Sequence, residues 1–362
     1  MTNAVNLSTV AATGFLRNRI INGAMVIDQR NAGASVTPIA DQYLVDRFNV
    51  YLSQSSKFTA QQNAGSVTPP SGFTNYLGLT VAAAANVTVG AGDYFGTRQM
   101  IEGFNVADLG WGAAGASTVT LSFWVRCSLT GTMGGSLTNS SRSYPFTFTV
   151  SAANTWEYKT ITVPGDTSGT WNKTNGIGIE VRFSLGGGSS FAGTAGAWAT
   201  GNFVTATGAT NIISTNNATF YVTGVQLEVG TVATPFERRL YGTELALCQR
   251  YCLAWRPQVN SGATSFPAIA IGYAAASTSA NCTVQTPVAL RATPTLSYTG
   301  TITFVAGAVA ANVSSLPTVY EASNSSFWFQ AACSSGSFTL GNGGILYCGN
   351  STSNALIASA EL

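Results

Sequence analysis

Short apolar runs with a two-residue period fill the first two thirds of the chain, each bounded by Gly, Ser, Thr, Asn or Pro. In residues 118–126, Val119, Leu121, Phe123 and Val125 fall on one face and Thr120, Ser122, Trp124 and Arg126 on the other, because strand side chains alternate. Residues 145–150 repeat this, with Phe146, Phe148 and Val150 set against Thr147 and Thr149. Residues 177–183 place Ile177, Ile179, Val181 and Phe183 opposite Gly178, Glu180 and Arg182. Between 220 and 229 the parity changes at Gly224, where a bulge would let Phe220, Val222, Val225, Leu227 and Val229 share one core face. No amphipathic helix interrupts this region, so residues 18–239 are expected to form an antiparallel, jelly-roll-like β-sandwich. The Gly/Ala/Ser/Thr/Asn-rich stretches 82–92, 110–117, 130–143 and 184–218 read as long edge loops, suited to binding.

A helical period appears once. Thr243 can cap a helix from Glu244 to about Ala254, with Leu245, Cys248, Cys252 and Trp255 in one apolar row and Leu247, Tyr251 and Ala254 in a second. Three turns with so wide an apolar face need cover, from the chain's own sandwich or from copies of the helix. Alternating β pattern resumes after it and defines a C-terminal β domain over 257–362. Residues 1–17 read as a flexible arm or docking segment. The 362 residues thus suggest two domains in an all-β chain with one short helix.

Composition narrows the chemistry. Charged residues are 8% of the chain, against roughly 25% in an average protein. The formal charge of +2 forms no basic stripe, which argues against nucleic acid and against an anionic membrane surface. There is no His, so Ser-His-Asp and Cys-His catalysis and His-ligated zinc are excluded. No cofactor or metal is called for: the six cysteines lack C-x2-C spacing and read as buried thiols. A signal peptide is not visible, and no uncharged apolar run reaches the ~20 residues of a membrane span. The expectation is synthesis in a cytoplasm, with the working place elsewhere after release.

Several ordered blocks carry a family resemblance. They are Asn18-Arg19-Ile20-Ile21-Asn22-Gly23, Ile27-Asp28-Gln29-Arg30-Asn31-Ala32-Gly33, Val45-Asp46-Arg47-Phe48, Gly224-Val225-Gln226-Leu227-Glu228-Val229-Gly230, Pro235-Phe236-Glu237-Arg238-Arg239 and Tyr241–Tyr251. Together with the terminal Ser359-Ala360-Glu361-Leu362, this pattern resembles the tail-fibre and related virion structural proteins of tailed bacteriophages. The resemblance implies a carbohydrate-binding-module-like sandwich and a homotrimer joined to a virion tail or capsid protein. It implies an axial trimerisation helix over 240–256, which would put Leu245, Cys248, Tyr251, Cys252 and Trp255 at the trimer interface. It also implies a distal domain, and contact with a host cell-surface polysaccharide or protein receptor. Tail fibres, head fibres and baseplate components share this sandwich, so the position on the particle stays open.

Glycan binding needs an aromatic platform flanked by groups that pair with hydroxyls. Trp124 with Arg126 on one strand, and Glu180 with Arg182 on another, fit such a platform if they share a sheet face; the alternative is that a loop or a neighbouring subunit covers Trp124 and that Glu180 and Arg182 form a surface ion pair. Trp171 and Trp198 lie in polar loops and are candidates as well, although loop anchoring explains them equally. A depolymerase would need two carboxylates about 5–9.5 Å apart. Asp93, Glu102, Asp108, Glu157, Asp166, Glu180 and Glu228 show no motif of that kind. The chain is therefore read as a non-enzyme, with a purely structural spacer as the alternative.

Overall fold

The computed structural model describes residues 17–257, 267–323 and 325–362; the docking arm, apart from Arg17, lies outside them. Two compact units divide between Leu240 and Tyr241. In the first the strands are β1 Phe48–Leu52, β2 Phe58–Gln62, β3 Leu77–Val81, β4 Tyr94–Glu102, β5 Val119–Cys127, β6 Gly131–Thr138, β7 Arg142–Val150, β8 Glu157–Val163, β9 Ile177–Gly187, β10 Ala192–Gly193, β11 Ala199–Thr200, β12 Thr205–Ala206 and β13 Thr219–Val229. A six-stranded antiparallel sheet runs β1-β4-β9-β6-β7-β11 and a five-stranded one runs β2-β3-β13-β5-β8. Their inner faces make one core, in which Val119, Leu121, Phe123 and Val125 are fully buried. Phe123 of one sheet meets Phe183 of the other at 4.9 Å and Phe148 at 5.1 Å between ring centroids. This is the sandwich that the alternation predicts.

The stretch 130–143 is not a loop. It contains β6, an interior strand, and starts β7. Its glycines answer to packing: a Cβ on Gly135 would stand 2.3 Å from the Arg182 carbonyl oxygen and 2.5 Å from the Phe146 ring. Gly-rich sequence conceals a strand here because the neighbours leave no room for side chains.

The bulge at Gly224 is present, with the register shifting between Thr223 and Gln226; it keeps Phe220, Val222, Val225 and Leu227 in the core, whereas Val229, expected in the same row, is exposed at the strand's end. Around the bulge three blocks that are far apart in sequence, 18–23, 224–230 and 235–239, converge. The Asn18 side chain donates to Val225 O and accepts from Leu227 N, Val225 N donates to Gly23 O, and Glu237 accepts from Asn18 N. A Cβ on Gly23 would lie 2.1 Å from Val225 O, so only glycine allows this approach.

In the second unit the elements are α1 Tyr241–Gln249, β14 Cys252–Trp255, β15 Ala268–Ala276, β16 Ser279–Gln285, β17 Thr295–Thr299, β18 Ile302–Ala306, β19 Val309–Ala322, β20 Ser326–Cys333, β21 Gly343–Cys348 and β22 Ala355–Ser359. Six strands close a barrel, β15-β16-β20-β19-β18-β21, and β14-β22-β17 form a separate sheet. The barrel interior is filled by Cys282, Phe304, Phe327, Phe329 and Leu346. All six cysteines are buried, and no disulfide is recorded among the described residues.

The helix differs from its sequence reading. It starts at Tyr241, includes Gly242 and Thr243 in its first turn, and ends at Gln249. Residues 252–255 are strand, paired with β22 from Cys252↔Ser359 to Trp255↔Leu356. Ladder hydrogen bonds to β22 win over continuing the helix. Cys248, Tyr251 and Cys252 are fully buried within the single chain, Leu245 is half-buried, and Trp255 packs edge-on to Phe327 at 6.3 Å. Three of the five expected interface side chains are therefore covered without a partner, and 240–256 is not one continuous helix.

Candidate ligand-binding groove

The four platform residues do not share a face. Trp124 and Arg126 point outward from the five-stranded sheet, whereas Glu180 and Arg182 lie on the outer side of the six-stranded sheet. Alternation along each strand is as read, but which strands belong to which sheet is a matter of long-range pairing.

Glu180 and Arg182 are buried, and they hold each other. Glu180 Oε2 accepts from Arg182 Nε at 3.0 Å and Arg98 Nη1 at 3.0 Å, while Ser140 Oγ donates to Oε1 at 3.0 Å. Arg182 also donates to Asn202 Oδ1 at 2.7 Å and lies over the Tyr51 ring at 5.6 Å. Arg98 reaches Asp41 and Asn49. A small concavity of about 210 Å³ opens above, walled by Tyr51, Tyr94, Phe191 and Asn202. Its guanidinium groups are already committed to protein partners, so their first role is to hold the loops of this face.

Trp171 and Trp198 are loop anchors. With Trp111 they form a mutually edge-on triad at centroid distances of 4.8, 5.2 and 5.4 Å. Each indole N–H donates to a backbone carbonyl: Trp111 to Ser117, Trp171 to Ser168 and Trp198 to Pro164. Trp156 donates likewise to Thr68. Trp171→Phe, which keeps a ring but removes the donor, is expected to cost about 1–2 kcal/mol of stability. Urea unfolding should show this as a lower midpoint, with ligand binding by the folded protein unchanged.

Trp124 is different. It lines an open groove of about 650 Å³ with Phe73, Ser122, Tyr158, Gly224, Thr234, Pro235, Phe236 and Arg238. Strand pairing sets Trp124 beside Tyr158 on β8, at 5.4 Å between ring centroids, and beside Thr223 on β13. Phe73 and Phe236 meet edge-on at 5.1 Å, and the Arg238 guanidinium lies 4.8 Å over Phe73. Gly224 makes the floor possible: at φ +61° it takes the left-handed bulge conformation, and a Cβ there would stand 2.7 Å from Phe73 and 3.1 Å from Trp124. One glycine thus both re-phases β13 and opens the groove.

Three hydrogen-bonding groups here are not used internally. Among the described residues, the Trp124 indole N–H, the Tyr158 hydroxyl and the exposed Arg238 guanidinium make no hydrogen bond to the protein. Arg126, two residues along the same strand face, sits 5.5 Å over the Tyr221 ring and does not line the groove. The sequence reading found Trp124 but missed Phe73, Tyr158, Phe236 and Arg238. Phe236 and Arg238 sit in the Pro235–Arg239 block, which was a visible signal; Tyr158 needed the β5–β8 register.

No carboxylate lines the groove. The sandwich acids are occupied elsewhere: Arg142 donates to both oxygens of Asp166 at 2.8 Å each, Thr234 holds Glu228, and Lys159 holds Glu157. Burial pushes the Asp46 carboxyl above its usual range, against Arg30 and the hydrogen bonds from Gln29. Asp46 is nevertheless sealed from solvent and lines neither groove. No group of His, Cys, Asp and Glu among the described residues could hold a metal ion.

No protein-family model and no curated protein matches the chain. Solved structures similar to it include the enzymatically active domain of bacteriophage CBA120 tailspike protein 4, at 11% identity and TM-score 0.31 over 59% of this chain; the match spans 22% of that protein. TmCBM61, solved with β-1,4-galactotriose, matches at 9% identity and TM-score 0.29, covering 59% of this chain and 99% of that one. A family 11 carbohydrate-binding module from Clostridium thermocellum, solved with a mixed-linked tetrasaccharide, matches at 14% and 0.28, covering 54% and 96%.

Proposed function

We propose that this chain is a non-catalytic, glycan-binding structural protein of a bacteriophage particle. In this reading it is a homotrimeric fibre, attached through residues 1–17 to a tail or capsid protein and meeting a host surface polysaccharide. The observation that carries the binding role is the Trp124 groove: aromatic rings for the apolar face of a sugar, with an unengaged indole N–H, phenol and guanidinium around them. Four other tryptophans of the sandwich have their N–H bonded to backbone. A side chain whose only task is packing normally has its buried polar end satisfied in that way. The virion role is supported by the ordered sequence blocks that resemble phage fibre proteins, three of which, 18–23, 224–230 and 235–239, meet at the β13 bulge.

Glycan cleavage would need a close carboxylate pair, and the groove offers none. Phosphate or nucleic-acid partners are disfavoured by a chain whose 16 basic and 14 acidic groups form no basic stripe. A glycan array and a host-cell binding assay on the purified chain test the role. Binding that is lost in Trp124→Ala is expected. Absence of binding by the intact assembly would turn the reading to a spacer, and release of sugar fragments from host polysaccharide would overturn its non-catalytic part.

A further inference from the structure

The inward rows of the C-terminal barrel are fully packed, with Cys282, Phe304, Phe329 and Leu346 unexposed. In a barrel facing water on its outside, the alternate positions should then be polar. Across five neighbouring strands they are Val305, Ile345, Ile271, Thr283 and Trp328, directly opposed in the register. Ile271 is 72% exposed and Ile345 47%. Tyr273, two residues from Ile271 on the same face, is 49% exposed. Tyr320 stacks on Trp328 with centroids 4.2 Å apart and planes 15° from parallel. A concavity of about 500 Å³ lies against Ile271, Tyr273, Asn281, Thr283 and Trp328. An exposed row of this kind, apolar on four of its five strands, marks an interaction surface.

We infer that this outer barrel face is where sister copies of the chain meet. The inference rests on the trimeric reading above and gives its contact surface, a role the sequence had assigned to the helix. α1 serves poorly, since Cys248 and the adjoining Tyr251 are already covered by their own chain.

Three observations select a second copy as the occupant. After Arg256 the chain carries only Arg291, Glu321 and Glu361 as charged residues, and Arg291 donates to the carbonyls of Ala360 and Glu361. The five-strand row itself therefore carries no charge, Glu321 on β19 opposite Trp328 being the nearest acid in the register, so identical rows meet with little like-charge repulsion, while a partner steered by charge finds little opposite to read. The barrel is closed, so a partner cannot add a strand and must pack on side chains. The most exposed side chain of the row, Ile271, and its neighbour Ile345 are aliphatic and offer a glycan no hydrogen bond, and the Asn281 amide N–H beside them already donates to the Tyr273 hydroxyl at 3.0 Å.

Light scattering on the full chain tests this. The wild type should show three times the chain mass, and Ile271→Asp with Ile345→Asp should fall to one. Both sites are exposed, so circular dichroism should stay native, with a melting transition that remains cooperative but no longer depends on protein concentration. If the Asp pair fails to fold, Ile271→Thr with Ile345→Thr decides, since it keeps the β-branched shape and should move the dissociation midpoint to at least tenfold higher concentration. Leu245→Asp on α1 should leave the mass unchanged. A folded Asp pair that remains trimeric overturns the surface and leaves the trimer standing, whereas a monomeric wild type overturns both. Loss of the trimer only in Leu245→Asp would return the contact to the helix.

Discussion

Glu180→Ala is expected to lower the unfolding free energy of the sandwich by about 3–5 kcal/mol, the usual cost of removing one partner from a buried ion pair. The carboxylate is 2% exposed and lies 2.9 Å from Arg182, itself 4% exposed, and 3.0 Å from Arg98. Its loss leaves two guanidinium groups facing each other in a buried site. Urea titration should show a lower midpoint at an unchanged slope. A loss below about 1 kcal/mol would mean that water replaces the carboxylate and that the network is not structural.

The same group predicts a pH dependence. Burial alone would raise the Glu180 carboxyl, but the Arg182 and Arg98 charges and the hydrogen bonds from Arg182 and Ser140 outweigh it and hold the group below its usual value. The folded protein therefore takes up this proton less readily than the unfolded chain, whose carboxyl titrates near pH 4.3. The stabilisation is fully present above that pH and is lost as pH falls through the depressed folded value. Glu180→Gln should lower stability at neutral pH and flatten this part of the acid limb, as read from unfolding midpoints between about pH 6 and pH 3.

The largest functional effect is expected at Trp124. Truncating a central aromatic anchor typically costs at least 2 kcal/mol of binding, so Trp124→Ala should weaken glycan affinity by about thirtyfold or more. Trp124→Phe separates the two contributions of the side chain. It retains a stacking ring and loses the N–H, which should cost a few-fold, in line with one hydrogen bond of about 0.5–1.5 kcal/mol. Arg182→Met, on the opposite face of the sandwich, should leave affinity unchanged wherever the protein remains folded. Equal affinity in wild type and Trp124→Ala would remove the groove from the account.

Much of the sandwich was legible because period-2 alternation is a local signal. The inner residues of β5, β7 and β9 and the bulge at Gly224 could all be read from spacing alone. β6 was not legible, since its glycines are required by the Arg182 carbonyl and the Phe146 ring, neither of which is near in sequence. The helix was over-extended because Cys252, Ala254 and Trp255 fit helical rows as well as a strand, and β22, more than 95 residues away in sequence, decides between them.

The site was half legible for the same reason. A lone tryptophan on the polar side of a strand pointed to Trp124, but local spacing could not show that Glu180 and Arg182 belong to the other sheet. Nor could it show that the indole groups of Trp171 and Trp198 are held by the carbonyls of Ser168 and Pro164. Those are facts of pairing and loop closure, and they separate the anchors from the one sandwich tryptophan with a free donor.

The indole N–H resonances of the ¹⁵N-labelled chain report on that distinction most directly. Titration with a glycan selected on an array should shift the Trp124 signal, identified by its absence in Trp124→Phe, while the Trp111, Trp171 and Trp198 signals stay in place. Saturable binding that leaves the Trp124 signal unmoved would contradict the assignment of the groove as the glycan site.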